Sequence, residues 1–456
     1  MSISERTERI RQEYLNNKPS ISCLRAEIWT KSHRKTEGEP ICIRRAKAFA
    51  EACDQLPALI FPDELIVGTA GEFRRTAILT PEFSWMWVDK EMDAFDKRPQ
   101  DPYVITEEQR KFLREEVWTY WKGNSLEEAF LKRIPGETAK LLVDTGILDN
   151  DSKWRQAVGE ITPDYQDVLF PKGFRKIREE AKVRREALKA DSISNIEKIE
   201  FYESVIIACD GIMRLASRYS DAAKSLAACE KDEGRKEELL AIARICSRVP
   251  ADPPNTFHEA CQFVWFVQLG GIISENPLAL NLGRFDQYMY PFYEADVKAG
   301  RLDRKKAQEL VECLWLKLSE WVWTISSNTA NYFAGYNQFQ NLTVGGRKRD
   351  GSDGTNELSY ICLKATESVK THQPGLSVRI HPDSPDEFLM AVAELVSKGL
   401  GFPAIHSDRA GYEMLLQMGY DPEDARDWSN CGCVVPHFRK TGEWTSAVNV
   451  NFGAAL

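Results

Sequence analysis

The sequence predicts an α/β fold, and three observations predict it. Apolar residues at helical spacing fill most of the first two thirds of the chain. From residue 341 onward, short β-rich runs (341–346, 375–380, 402–405) alternate with helical patterns (356–369, 386–398, 409–418). Such alternation builds βα units and a parallel arrangement, a barrel or a doubly wound sheet, whose site sits on loops at the carboxyl ends of the strands. Finally, 456 residues with 43% apolar and 10% aromatic side chains can bury one very large core or two closely packed ones.

In chain order, Ser4 is placed to cap a first helix ending near Asn17, and 41–52 repeats apolar residues at helical spacing. Residues 65–69 read as a short strand. Pro81-Glu-Phe-Ser-Trp-Met-Trp87 is an aromatic cluster, either core or one wall of a pocket, with Trp85 its candidate lining residue. Segments 106–134 and 174–190 are helical, separated at 158–169 by a Gly and a Pro that break periodicity. Two long helices follow at 195–230 and 235–248. Pro253-Pro254 then opens a helix, 257–269, that is apolar on nearly every side and therefore buried. The amphipathic helix 304–321 completes a helical shell ahead of the βα units.

A net charge of −9, with Lys and Arg mixed among Asp and Glu as in 172–189, describes solvated helix faces and argues against nucleic acid as a partner. The eleven Cys form no C-x2-C pairs, which points to reduced thiols in a cytoplasmic protein. The start of the chain has no signal-peptide pattern. The most apolar run, 263–273, contains Gln268 and two Gly and is too short to span a bilayer, so no membrane is expected. No phosphate-binding loop and no His cluster with ligand spacing is found, so no metal is expected. His33, His258, His372 and His381 read as surface or structural residues. His406, at the end of a predicted strand, and His437 are candidates to line a site.

The chemistry concentrates in Ser429-Asn-Cys-Gly-Cys-Val-Val-Pro436, where Cys431 and Cys433 occupy a Gly-containing turn after a predicted helix at 422–428. A buried small hydrophobe or half of a metal site are the plain alternatives. A turn that pushes a sulfur into a cavity is the catalytic one.

Five stretches in order, Pro163-Asp-Tyr165, Gly283-Arg-Phe-Asp-Gln287 with Pro291-Phe-Tyr293, Phe339-Gln-Asn-Leu-Thr-Val-Gly-Gly346, Gln373-Pro-Gly-Leu-Ser-Val-Arg379 and Gly432-Cys-Val-Val-Pro436, resemble the glycyl radical enzymes of the pyruvate formate-lyase-like family. The resemblance covers essentially the whole chain. It implies one domain over 1–456, a helical shell around a ten-stranded α/β barrel, with Cys433 at the tip of a finger loop as the thiyl radical that takes hydrogen from a small organic substrate. Such a sulfur asks for a neutral thiol in a dry cavity. Phe339 matches an aromatic that covers the substrate. Val435 stands where dehydratases and many lyases of the family carry a Glu, and Asn276-Pro-Leu-Ala-Leu280 is apolar where some dehydratases place an Asp. Proton transfer would then fall to Glu160 or His437.

The resemblance therefore implies a lyase cleaving a C–C, C–O or C–S bond. Addition of a hydrocarbon or aromatic radical to fumarate is the alternative, with Arg439 or Arg379 for the dicarboxylate. Acyl transfer of the formate acetyltransferase type loses weight because Gly432 separates Cys431 from Cys433. The family's radical Gly motif, R-V-x-G, is absent, and Gly453 is not assigned that role. The chain is thus expected to be incomplete at its C-terminus, and an inactive fragment or a scaffold subunit needing a second chain is a further alternative. The family implies no bound cofactor, a radical S-adenosylmethionine activating enzyme as partner, and a homodimer when complete.

Overall fold

The computed structural model describes residues 3–145, 147–149, 160–331, 333–336, 338–438 and 449–456. Its strands are β1 (Ser20–Ser22), β2 (Thr76–Ile78), β3 (Leu148–Asp149), β4 (Glu160–Ile161), β5 (Ala279–Leu280), β6 (Leu342–Gly345), β7 (Leu376–Ile380), β8 (Ala404–Ser407), β9 (Ser429–Cys431), β10 (Val435–His437) and β11 (Asn449–Val450). β1 and β2 run parallel, and parallel bridges to Val104 and Val322 extend them on either side. A second parallel run carries the βα units: β4 pairs with β5, β5 bridges Phe339, Gly283 just beyond it bridges Leu342 of β6, and β6, β7 and β8 follow in order. β3 and β11 pair antiparallel, as do β9 and β10, which form a hairpin.

The pleat sorts the second run into two faces. Leu342, Val344, Leu376 and Val378 are buried in the main core with Phe388, Val392 and Leu395 of the helix Asp386–Ser397. Thr343, Ser377 and Arg379 point the other way, toward the hairpin. The expected strand and helix alternation is therefore observed, and as a parallel arrangement. The helix Glu357–Val369 starts at its Asn356 cap, with Asn356 and Ser359 satisfying each other's backbone groups.

The apolar helix spans Phe257–Glu275, longer than its sequence pattern suggested. Its end passes close over β5, where a Cβ on Gly271 would lie 2.4 Å from Leu280 Cδ2. The first helix, Glu5–Asn16, is capped by Ser4 as expected. The long helices Ile193–Cys229 and Glu233–Arg248 also stand where their patterns placed them.

Residues 65–69 are not a strand. Their backbone bonds go to helix side chains instead: Gln262 bonds both N–H and C=O of Val67 at 2.8 Å, Thr69 N–H donates to the Tyr219 hydroxyl, and Trp265 Nε1 donates to the Gly68 carbonyl. A β-rich run with no neighbouring strand edge meets its backbone accounting through side chains. The 106–134 pattern also breaks, after Trp121, and a separate short helix, Leu126–Leu131, starts at Ser125. Among the described residues no helix is long and apolar enough to cross a membrane.

Candidate active site: the Cys433 hairpin

The hairpin begins at a buried root. Trp428 lies under the helix Asp408–Gln417, and only a glycine lets that helix come so near: a Cβ on Gly411 would sit 2.3 Å from the indole. The Arg379 guanidinium stacks on the same ring, 4.5 Å from its centroid. Its Nε donates to Asp408 at 2.8 Å, Nη1 to the Trp428 carbonyl at 2.5 Å, and Nη2 to Asp408 and to the Arg426 carbonyl. Gly346, at φ +73°, leaves the space this side chain fills. Arg379 is fully buried with every nitrogen engaged, so it is not available to a dicarboxylate as the sequence reading had it. His406 pairs in register with Arg379 and sets its ring edge-on to Trp428, and burial pushes its pKa down. It belongs to this root as well.

Arg284 and Asp286 explain the Gly-Arg-Phe-Asp stretch. Arg284 donates to the Gly345 and Arg347 carbonyls and to Asp427. Asp286 accepts from Gly345 N–H and Ser359, and burial raises its pKa. Both side chains therefore fix the end of β6 where the root sits.

From the root, β9 descends the inner face against the direction of the parallel strands. Asn430 donates from its backbone to Thr343 Oγ1 at 3.0 Å and from Nδ2 to Ser377 Oγ at 2.9 Å. One step on, Gly432 donates its N–H to Asn281 Oδ1 at 3.0 Å and accepts from Asn341 Nδ2 at 3.1 Å. Cys431 is fully buried and opposes Val435, and Gly432, at φ +59°, opens the turn Gly432-Cys433-Val434. A left-handed first turn residue is where glycine is favoured. The next register row of the wall in this direction is Glu160, Ala279 and Phe339, joined by the β4–β5 pairing and the Ala279–Phe339 bridge. That row lies one register step beyond Asn281 and Asn341, the last pair that anchors the hairpin.

Cys433 is exposed, where the resemblance implied a dry cavity. The turn projects past the last anchoring pair, Asn281 and Asn341, and Val434 beside it is 60% exposed. Val435 and Phe339 are half-buried. Phe339 packs edge-on to Phe333 at 5.6 Å, and Phe333 meets Trp323 at 6.1 Å, in a small apolar cluster with Leu278, Ile325 and Ala330.

His437 is buried and pairs with Ser429, two residues along β10 from Val435 and so at the root end of the hairpin. Of Glu160 the described part is its backbone register in β4, and Arg439 lies outside the described residues. Trp85 packs against Trp118 and donates to Glu128, which makes it part of the helical layer and not of the hairpin's surroundings. His33 bonds the Trp29 carbonyl, His258 the Leu65 carbonyl, His372 the Tyr14 hydroxyl and His381 Asp353, as structural histidines do.

Sequence reasoning missed Asn281, Asn341, Thr343, Ser377 and Asn430. A signal existed, since Asn281 interrupts an otherwise apolar Leu-Ala-Leu-Asn-Leu run, and Asn341 and Thr343 recur with period two inside a strand.

The family model described as "Pyruvate formate lyase-like" matches residues 1–456. An isethionate sulfite-lyase from Nitratidesulfovibrio vulgaris is 35% identical over 99% of this chain and 56% of its own length. A trans-4-hydroxy-L-proline dehydratase from Clostridioides difficile is 33% identical over 94% of this chain and 54% of its own. Among solved structures, a B12-independent glycerol dehydratase from Clostridium butyricum superposes with a TM-score of 0.92 at 38% identity, covering 96% of this chain and 55% of that one. The chain thus spans about half the length of the relatives it matches.

Proposed function

Because the chain belongs to the pyruvate formate-lyase-like family of glycyl radical enzymes, we propose that it supplies the hydrogen-abstracting sulfur of a radical lyase, with Cys433 in that role. The observation that carries the reading is the anchored hairpin, which holds Cys433 at an exposed tip just past its Asn281 and Asn341 anchors. An exposed tip fits a protein radical delivered by a second loop. No residue of this chain is proposed as the radical glycine, and a radical S-adenosylmethionine activase is the proposed partner that installs the radical. When bound against the tip, that loop supplies the unpaired electron. A homodimer is the proposed complete assembly.

The Cys433 sulfur radical takes a hydrogen atom from a substrate carbon: an S–H bond forms, a C–H bond breaks, and the unpaired electron moves to carbon. The bond to the leaving group on the neighbouring carbon then breaks with its electron pair going to that group, a proton lost from a hydroxyl on the radical carbon balances the charge, and the product radical takes the hydrogen atom back from Cys433, restoring the sulfur radical. Val435 moves no proton, and the Leu278-Ala279-Leu280 run on the facing wall offers no side-chain carboxyl. Both features favour a leaving group that departs as a stable anion over a hydroxyl that must first be protonated. The relatives named above include a sulfite-lyase and a dehydratase. Where a proton is needed, register supports Glu160, in the row of Phe339, over His437 at the root. The fumarate-addition alternative retains Arg439 alone, since Arg379 is committed to Asp408.

The test is Cys433→Ser in the complete activated enzyme, with anaerobic profiling of candidate substrates. Turnover should vanish while the glycyl radical signal persists. Residual activity within roughly tenfold of wild type, a barrier change of about 1.4 kcal/mol, sinks the assignment.

A further inference from the structure

Asn281 is fully buried one residue beyond β5, and its carboxamide meets three separate elements. Its Oδ1 accepts from the N–H groups of Gly432 at 3.0 Å and Asn341 at 3.2 Å. Its Nδ2 donates to Cys431 Sγ at 2.9 Å and to the Ile161 carbonyl at 3.3 Å. The bond from Asn341 is unusual for a strand ladder. On either side of it the backbone pairs normally, with Phe339 N–H to Leu278 C=O, Leu280 N–H to Phe339 C=O, and Leu282 N–H to Asn341 C=O. Between them, Asn341 N–H turns to the Asn281 side chain. The carboxamide is therefore built into the wall and reaches out of it to the hairpin at once.

We infer that Asn281 is a positioning residue for Cys433, setting how far the hairpin tip reaches along the wall toward Phe339. This rests on the reading of Cys433 as the sulfur that takes hydrogen. Abstraction asks for reacting atoms about 3–3.5 Å apart, and small displacements are costly. Asn341 grips the Gly432 carbonyl and Asn281 grips its N–H, so Gly432 is held through the peptide units on both of its sides, the second of which leads into Cys433. One such bond alone would leave the turn free to pivot. A donor and an acceptor on one short planar group are what this place requires, and few side chains supply both. Asp keeps only the acceptor, and Ala keeps neither.

The test compares wild type, Asn281→Ala and Asn281→Asp in the full chain. Iodoacetamide alkylation of Cys431 and Cys433 is read by peptide mass spectrometry, and amide hydrogen exchange is followed at 429–438 and in β7. In Asn281→Ala, Cys431 should alkylate and Gly432 should exchange about tenfold faster, the ratio that loss of one such hydrogen bond sets. Protection of β7 should stay as in wild type. Asn281→Asp should restore slow exchange at Gly432, because its carboxylate accepts the same N–H. Unchanged rates in the Ala variant, an Asp variant that behaves like Ala, or equal loss of protection in β7 would each overturn the proposal. In the complete activated enzyme, Asn281→Ala should lower kcat by roughly a hundredfold with KM and the radical signal near wild type. A rise in KM or loss of the radical signal in its place counts against positioning. Retained turnover in Cys433→Ser would remove the sulfur assignment alone, since alkylation and exchange do not depend on turnover.

Discussion

Arg379 lies between the Trp428 ring and the Asp408 carboxylate, with backbone carbonyls taking its remaining donors. Removing it leaves the Asp408 carboxylate, 4% exposed, without its cation. Breaking a buried pair in this way costs about 3–5 kcal/mol. Arg379→Ala should therefore lower the urea midpoint by that stability, and a loss below about 1 kcal/mol would show that the guanidinium is dispensable to the root. Lys in its place should recover little, because a single ammonium cannot serve carbonyls and carboxylate from one planar fork. At Cys431 the expectation differs. Its thiol is buried and accepts from Asn281 Nδ2, so Cys431→Ala should keep the fold and much of the turnover, which separates it from Cys433.

The hairpin and the strands around it divide by how their residues were recognised in sequence. β6, β7 and β8 announced themselves by β-rich runs between helical periods, because one face of each packs on helices and the pattern records that packing. The Cys turn was legible through its Gly and its neighbours. Its anchors were not, because Asn281 and Asn341 act on a residue 151 and 91 positions away, and no local period records a partner that far off. Arg379 was misread for a related reason: a lone Arg in a strand gives no sign of whether water or Asp408 faces it. Residues 65–69 looked like a strand by composition, but strand formation depends on an available edge. At this scale the acid/base choice can also be tested. In the complete enzyme, Glu160→Gln should cut turnover by roughly a hundredfold or more if a proton is transferred, the low end of what such catalysis contributes. His437→Ala should act mainly on stability, since it sits at the root. The reverse ranking would relocate proton transfer to β10.

Across the whole molecule, burial pushes down the pKa values of His33, His258 and His372, the last to about 4. In the unfolded chain a His titrates near 6.5. The folded state thus refuses protons that the unfolded state accepts, so this stability is complete above about pH 6.5 and is lost as pH falls toward the folded values. Buried Asp286 and Glu312, raised by burial, act with the opposite sign, so a difference measurement isolates the histidine. Stability of the wild type minus that of His372→Asn should fall between pH 6.5 and about 4.5 by at most about 1.4 kcal/mol per pH unit, less to the extent that water reaches the ring. A flat difference would mean that His372 titrates normally in the folded chain. The anchors of the hairpin carry one more consequence, for the order in which the protein is made. Ser377, Thr343, Asn341 and Asn281 precede the hairpin residues they hold by 53, 87, 91 and 151 positions. At about 5–20 residues per second, each has left the ribosome seconds before the hairpin does. The nascent chain thus makes these four anchors first, and Cys433 follows onto a seat already synthesised.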